Sequence, residues 1–76
     1  MTIAQLRAFA AAAESLNFTH AAQNLGIDQS TLSFRINRLE HELGVQLFIR
    51  EKKSVFLSEA GKLLRLRLIP ILKQLD

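Results

Sequence analysis

The chain has 76 residues, of which 49% are hydrophobic, and a formal net charge of +3 at pH 7. This length suits one small domain, and the hydrophobic fraction excludes a disordered chain. There is no cysteine, which excludes disulfides and thiolate metal sites. No apolar run approaches the roughly 20 residues of a membrane span, and no signal peptide is visible, so we expect a small cytoplasmic protein.

The positive charge is concentrated in the second half of the chain. Residues 1–34 hold one basic and two acidic side chains, a net charge of −1, whereas residues 35–76 hold nine basic and five acidic side chains, a net charge of +4. A basic half indicates a polyanionic partner. The same charge is compatible with ordinary solubility, so the arrangement of the helices must decide between solubility and a polyanionic partner.

Two helices are predicted at the start of the chain. Thr2 and Gln5 have capping-box spacing at the beginning of the first helix, which we expect over residues 2–16. Thr19 is predicted to cap the second helix, which ends at Gly26. The apolar residues expected to face the core are Ile3, Leu6, Phe9, Ala10, Ala13 and Leu16 in the first helix and Ala21, Ala22 and Leu25 in the second.

A third, amphipathic helix is predicted over residues 28–43. Asp28 is expected to cap its first turn, and Gly44 can end it in the left-handed conformation. With the preceding helix and the glycine between them, it forms a helix-turn-helix arrangement. Its apolar residues recur at i, i+4, i+7 and i+11 as one stripe that faces a core: Leu32, Ile36, Leu39 and Leu43.

The opposite face of the third helix carries short hydrogen-bonding side chains and one aromatic ring. Such a face suits the DNA major groove, which is wide enough for an α-helix and displays a distinct pattern of donors and acceptors. Such a face on its own is more often a solvated surface, so the prediction of DNA binding depends on the neighbouring elements. The residues are Ser30, Phe34, Asn37 and His41, with Ser33 and Arg38 at the edges.

A β-hairpin is predicted after the third helix, because two apolar, strand-like segments, 47–49 and 55–57, flank a charged turn. The turn contains Arg50, Lys52 and Lys53. Beside a helix-turn-helix, such a hairpin is a wing whose cations can reach phosphates or the minor groove. The alternative is a solvated turn.

Ser58 is predicted to cap a last helix over residues 58–76. This helix has more apolar surface than a small core needs, which indicates a seam for a partner helix. Pro70 removes a backbone hydrogen bond, so a bend, or a break near Ile69, is expected. The residues predicted to pair two copies of the chain are Leu64, Leu68, Ile71, Leu72 and Leu75.

Other functions find little support in the sequence. Asp28, Ser33 and His41 are triad residue types, but they point in different directions on one helix, so no enzyme is predicted. His20 and His41 lack a third ligand at a suitable spacing, and no phosphate loop or dinucleotide motif is present, so no metal or cofactor is predicted. Two alternatives stay open: a winged helix that contacts another protein, and, with less support, single-stranded RNA binding.

Three segments carry a resemblance to a known family: LRAFAAAAESLNFTHAA (6–22), AAQNLGIDQSTLSFRINRLEHELGVQLFIR (21–50) and LSEAG (57–61). Their most characteristic residues are Leu39, Glu40, Leu43, Gly44, Leu47, Phe48 and Arg50. With them, the chain resembles the N-terminal DNA-binding domain of LysR-type transcriptional regulators. The resemblance implies a mainly α fold: a winged helix-turn-helix of three helices and a two-stranded wing over residues 1–57, then a linker helix over 58–76.

The resemblance also implies a function. Members of this family bind palindromic promoter DNA as dimers paired through their linker helices, and form higher oligomers as full-length proteins. A small-molecule inducer binds an effector domain, which follows in the family and is absent from this sequence. Phe34 stands where the family usually has arginine, and it can touch a thymine methyl group but cannot read guanine as arginine would.

The DNA contacts that the resemblance implies fall into three groups. Side chains that would approach the bases are Gln29, Ser30, Ser33, Phe34 and Asn37. Side chains that would contact phosphates from the helix are Thr31, Arg35 and Arg38, and those of the wing are Arg50, Lys52 and Lys53.

Overall fold

The computed structural model describes residues 1–75. Its elements follow in the order α1 (Ile3–Ser15), α2 (Phe18–Leu25), α3 (Gln29–Leu43), β1 (Phe48–Glu51), β2 (Ser54–Leu57) and α4 (Glu59–Leu75). The mainly helical class, with a helix-turn-helix followed by a two-stranded hairpin and a further helix, is therefore confirmed.

The core lies where α1, α2 and α3 meet, and the hairpin and α4 close it. Ala8, Ala12 and Ala21 have no exposed surface, and their small side chains let the helices approach one another. Each large side chain buried among them contributes about 1.5–3 kcal/mol through the apolar surface removed from water. The largest fully buried side chains are Phe9, Leu32, Ile36, Leu39 and Leu47.

Helix α1 is capped as predicted, but it is turned relative to the expected apolar stripe. Thr2 Oγ1 accepts a hydrogen bond of 3.0 Å from the Gln5 N–H, and Gln5 Oε1 accepts one of 3.1 Å from the Thr2 N–H. The expected stripe is wrong at its ends, because Ile3 and Leu16 are exposed. Ala8 and Ala12 of α1, which are fully buried, take their place, because α1 packs against α2, α3 and α4 together.

The start of α2 differs from the prediction. Asn17, and not Thr19, is the N-cap, and its Oδ1 accepts a hydrogen bond of 2.9 Å from the backbone N–H three residues on. Asparagine is at least as good a cap as threonine, and the earlier start brings the buried ring of Phe18 into the helix. Gly26 ends α2 with a φ of 68°, as predicted, whereas Leu25 is exposed rather than inward.

Helix α3 has the predicted extent. Asp28 occupies the N-cap position, but its side chain makes no capping hydrogen bond, so that detail of the prediction is wrong. Three of the four residues of the predicted apolar stripe are fully buried, whereas Leu43 is exposed at the end of the helix. Gly44 follows with a φ of 73°, the left-handed conformation that favours glycine.

The hairpin β1–β2, called the wing below, is antiparallel, with Phe48 opposite Leu57 and Glu51 opposite Ser54. Its turn consists of two lysines, at positions 52 and 53. The predicted strands are confirmed, although β1 begins one residue later than expected and extends into the charged segment.

The start of α4 is fastened to the segment before β1. Ser58 Oγ accepts a hydrogen bond of 3.0 Å from the Gly61 N–H, which confirms the predicted cap, and donates one of 2.6 Å to the Gln46 carbonyl oxygen. Gly61 lies so close to this segment that a Cβ atom would overlap the carbonyl oxygen of Leu47. Helix α4 therefore packs against the segment before β1 at a point where only glycine fits.

Helix α4 continues from Glu59 to Leu75 through Pro70, so the break expected near Ile69 does not occur. Leu68 and Leu72 flank the proline and are buried in the core. Packing on both sides of the lost hydrogen bond holds the two halves of the helix to the same surface. None of the helices within residues 1–75 is both long and apolar enough to cross a membrane.

The five residues predicted to pair two copies divide between core and surface. Leu68 and Leu72 belong to the chain's own core, and Leu64 packs against it. Ile71 and Leu75 are 54% and 56% exposed. A helical apolar repeat cannot distinguish contacts within a chain from contacts between chains, and here three of the five residues serve the chain itself.

Candidate nucleic-acid interface

The buried stripe of α3 fixes which side chains point outward. Because Leu32, Ile36 and Leu39 are fully buried, the opposite side of the helix is turned to solvent. Of the residues predicted to bind DNA from α3, Thr31, Ser33 and Arg35 are half-buried. Those that are exposed, called the outer face below, are Gln29, Ser30, Phe34, Asn37 and Arg38.

Phe34 stands out on this outer face, because its ring is 64% exposed. Within residues 1–75 the aromatic ring contacts join Phe9, Phe18 and Phe48, and none of them includes Phe34. An exposed ring on an otherwise polar surface offers apolar contact area to a partner. Phe34 is therefore free to contact an apolar group on a partner.

Arg50 of β1 joins the wing to α3. Its Nη2 atom donates a hydrogen bond of 3.2 Å to Asn37 Oδ1. Its guanidinium carbon lies 4.5 Å from the centroid of the Phe18 ring, a cation–π contact. Arg50 thus contacts α2 and α3 together, and sequence reasoning assigned it only a role in the wing.

The ring beneath Arg50 is itself anchored to the core. Phe18 packs edge-on against Phe48, with 5.3 Å between ring centroids, and Phe48 lies 5.5 Å from Phe9 in a tilted arrangement. The three rings connect α2, β1 and α1. The guanidinium of Arg50 therefore contacts a ring that is itself packed into the core.

The carboxylate of Glu40 positions the beginning of the wing. Its Oε2 atom accepts hydrogen bonds from the backbone N–H groups of Leu47 and Phe48, at 2.7 and 3.2 Å. A carboxylate that accepts from two amides makes charge-assisted hydrogen bonds, which are stronger than neutral ones. The glutamate was predicted only as part of the family pattern, because its partners lie seven and eight residues away in sequence.

The start of α3 is joined to α2 by a second contact between side chains. Thr19 Oγ1 donates a hydrogen bond of 2.9 Å to Gln29 Oε1. Thr19 was predicted as a cap and is instead a partner of the outer face. The sequence alone gave no signal for this pair, which depends on the angle between the two helices.

A cleft opens between the start of α2, the start of α3 and the wing. It brings together five of the residues predicted to bind DNA, which are Gln29, Ser33, Arg50, Lys52 and Lys53. The remaining predicted residues of α3 lie outside this cleft. The wing contributes three cations and one carboxylate, that of Glu51, and the helices contribute hydrogen-bonding groups, which suits an anionic backbone beside a polar edge.

Arg38 is partly neutralised by an acidic neighbour. Its Nη2 atom lies 3.8 Å from Glu42 Oε2, and the ammonium group of Met1 lies 3.0 Å from Glu42 Oε1. The hydrogen bond from that ammonium group is the main reason that the pKa of Glu42 is lowered, against a smaller opposing effect of burial. Arg38 and the Met1 ammonium group thus share one carboxylate at the surface.

The described residues contain no metal centre of the usual kind, since no three His, Cys, Asp or Glu side chains among positions 1–75 cluster at ligand distances. The arrangement that remains is a helix-turn-helix whose second helix exposes polar side chains beside a cationic hairpin. These features define a winged helix-turn-helix protein.

Comparison with known proteins identifies the family. The model described as "Bacterial regulatory helix-turn-helix protein, lysR family" matches residues 3–62, which is most of the chain. The chain therefore belongs to the LysR family of bacterial regulators, as its sequence motifs indicated. The relatives that it matches are transcriptional regulators and not enzymes.

Three comparisons illustrate the likeness. The chain is 52% identical over 59 residues to the HTH-type transcriptional regulator XapR of Escherichia coli K12, an alignment that covers 78% of this chain and 20% of XapR. The crystal structure of the BenM DBD/catB site 1 DNA complex matches with a TM-score of 0.95 and 38% identity, covering 100% of this chain and 85% of that chain. The CbnR DBD–DNA complex matches with a TM-score of 0.90 and 32% identity, covering 97% of this chain and 85% of that chain.

The curated relatives are much longer than this chain. It spans 20% of XapR, and about a quarter of the E. coli activator HcaR, to which it is 41% identical over 76 residues. The comparisons therefore define the DNA-binding part of the family and not the activity of a whole regulator.

Proposed function

We propose that this chain binds double-stranded promoter DNA in a sequence-specific manner, as the DNA-binding domain of a LysR-type transcriptional regulator. The observation that carries the proposal is the joint placement of the outer face of α3 and the cationic wing on one side of the molecule, tied together by Arg50 and Asn37. Two structures with the same fold and more than 30% identity are complexes with DNA.

In this proposal α3 lies in the major groove, and the wing contacts the backbone or the minor groove. The side chains that approach bases are Gln29, Ser30, Ser33, Phe34 and Asn37. Phosphate contacts come from Thr31, Arg35 and Arg38 on α3, and from Arg50, Lys52 and Lys53 on the wing. The N-terminus of α3 also favours phosphate, because its first amides are free of helical partners.

The proposed assembly is a homodimer on a palindromic site, paired through α4, which is the linker helix of the family. Ile71 and Leu75 are the predicted seam residues available for pairing, and Leu63 and Leu66 add further exposed apolar surface on α4. Two copies of α3 would then enter successive major grooves about 34 Å apart. In a full-length regulator we expect higher oligomers, an effector domain that binds a small-molecule inducer, and a cytoplasmic location with the promoter.

A second function, contact with another protein, has one observation in its favour. The exposed ring of Phe34 and the apolar surface of α4 suit a protein partner. That function would leave the lysines of the wing without a role, whereas DNA binding uses the ring, the polar outer face and the cations together.

Selection from a pool of random duplexes tests the proposal and separates the two functions. We expect enrichment of an inverted repeat whose half-sites lie about one helical turn apart. The matched control is a variant with Lys52→Ala and Lys53→Ala, which retains the fold and should enrich the same site with lower recovery. A wild-type chain that enriches no duplex would contradict the proposal.

A further inference from the structure

The two carboxamide side chains on the outer face share an unusual feature. Asn37 Oδ1 accepts a hydrogen bond from Arg50 Nη2 at 3.2 Å, and Gln29 Oε1 accepts one from Thr19 Oγ1 at 2.9 Å. Each oxygen is thus engaged by a donor from another element, the wing in one case and α2 in the other. Within residues 1–75, no hydrogen bond is donated by Asn37 Nδ2 or Gln29 Nε2.

The Arg50 contact decides the orientation of the Asn37 amide, whereas the Thr19 hydroxyl can donate or accept and so fits either end of the Gln29 amide. The oxygen and nitrogen of a carboxamide have nearly the same shape, and hydrogen-bond partners determine which way the group points. A guanidinium group has donors only, so it can hold only the oxygen of Asn37. Because the Arg50 guanidinium also rests on the Phe18 ring, this partner is held in place from below.

The orientation has a consequence for base recognition. Asparagine and glutamine usually recognise adenine with two hydrogen bonds, in which the oxygen accepts from the N6 amino group and the nitrogen donates to N7. Asn37 Oδ1 has a second lone pair, but a base amino group that used it would approach the positive charge of Arg50, which repels a donor. The free amide nitrogen can still donate to any base acceptor.

We propose that Asn37 acts as a donor only, and that it selects a base edge with a major-groove acceptor rather than an adenine or cytosine amino group. Those acceptors are purine N7, guanine O6 and thymine O4. Arg50 is then a positioning residue, which sets the amide orientation without contacting the base. This inference rests on the proposed DNA binding.

The experiment starts with the duplex that the wild-type chain selects from the random pool. The base pair that loses its preference in the pool selected by Asn37→Ala is the pair that Asn37 contacts. Two sets of analogues are then placed at this pair. One set deletes a single acceptor: a 7-deazapurine for N7, 2-aminopurine for guanine O6, or 5-methylpyrimidin-2-one for thymine O4. The other deletes an amino group: purine for adenine, or pyrimidin-2-one for cytosine.

The deletion of one acceptor should weaken wild-type binding roughly 2- to 10-fold, the effect of one hydrogen bond. The deletion of the amino group should have the same effect on the wild-type chain as on Asn37→Ala, which serves as the control for altered base pairing. An amino deletion that weakens only the wild-type chain, as much as any acceptor deletion does, would overturn the inference.

Arg50→Ala tests the positioning residue. It should change the preferred base at the pair that Asn37 contacts as well as weaken binding, whereas Lys53→Ala should weaken binding with the preference intact. If Arg50→Ala keeps the wild-type preference at that pair, the positioning role is wrong. Thermal unfolding of each variant establishes that the fold is retained.

These results separate two failures. If the wild-type chain selects no duplex, DNA binding itself is wrong. If it selects a duplex but deletion of an amino group weakens binding by the wild-type chain and not by Asn37→Ala, DNA binding stands and the donor-only inference is wrong.

Discussion

Glu40 holds the backbone of Leu47: its Oε2 atom accepts a hydrogen bond of 2.7 Å from the Leu47 N–H, and one of 3.2 Å from the next residue. The same helix therefore presents the outer face and fixes where the wing begins. We expect Glu40→Ala to lower the free energy of unfolding by about 2 kcal/mol, because two backbone donors lose their acceptor. Chemical denaturation measures this change.

The matched control for this prediction is Glu40→Gln, which keeps an acceptor oxygen and loses the charge. It should cost less than the alanine variant. Equal losses for both variants would indicate that the negative charge, and not the hydrogen bonds, is what matters.

Gly61→Ala tests the close approach of α4 to the segment before β1. The added Cβ would overlap the Leu47 carbonyl oxygen, which is backbone and cannot move aside cheaply. We expect a loss of about 1–3 kcal/mol, the usual range for overpacking, in thermal or chemical unfolding. Lys62→Ala, on the exposed side of the same turn, should change stability by no more than about 0.5 kcal/mol. A stable Gly61→Ala chain would show that α4 can shift.

The lowered pKa of Glu42 predicts a dependence of stability on pH. Its carboxylate is favoured in the folded state, chiefly by the Met1 ammonium group, so its contribution is present above the ordinary pKa of a glutamate. As the pH falls through the lowered folded-state pKa, that contribution is lost. The difference in unfolding free energy between wild type and Glu42→Gln should therefore shrink on acidification. A difference that is constant from neutral to acidic pH would contradict the assignment.

Phe34 is expected to recognise a methyl group. Burial of one methyl group against the ring is worth about 0.8 kcal/mol, or roughly 4-fold in affinity. Replacement of the contacted thymine by deoxyuridine removes only the C5 methyl group, and should weaken the wild-type chain but not Phe34→Ala. Titration of both duplexes with both proteins measures the coupling between the thymine methyl group and the Phe34 ring. Equal sensitivity of the two proteins at every thymine would exclude this role.

The roles of Asn37 and Lys52 should differ in kind. Asn37→Ala should relax sequence preference at one base pair in each half-site, whereas Lys52→Ala should weaken binding to all duplexes about equally. For a dimer that neutralises about six phosphates, the logarithm of affinity should fall with the logarithm of salt concentration at a slope of about −5, and Lys52→Ala should make that slope shallower. If both substitutions weakened binding to all duplexes equally, the assignment of Asn37 to base recognition and Lys52 to phosphate contact would be wrong.

The elements of this fold could be predicted from local patterns in the sequence. Three of the four residues in the apolar stripe of α3, and the glycines that end α2 and α3, are properties of single segments, and the structure confirms them. The cap of α2 was misassigned because Asn17 and Thr19 are both good caps, and only the burial of the Phe18 ring favours the earlier start. Local spacing does not contain that information.

The contacts between elements could not be predicted in the same way. Arg50 meets Asn37 across 13 residues, and Thr19 meets Gln29 across 10, so each pair depends on how helices and wing are oriented. The burial of Leu68 and Leu72 likewise depends on where α4 lies, because the same repeat suits a dimer or the chain's own core. The outer face was predicted; the way its side chains are held was not.

A titration of the isotope-labelled chain with the selected duplex, followed by NMR of the backbone amides, tests the location of the binding surface most directly. We predict that the largest changes fall on residues 29–38 of α3 and 50–54 of the wing. Changes confined to α4 would contradict binding through the outer face of α3.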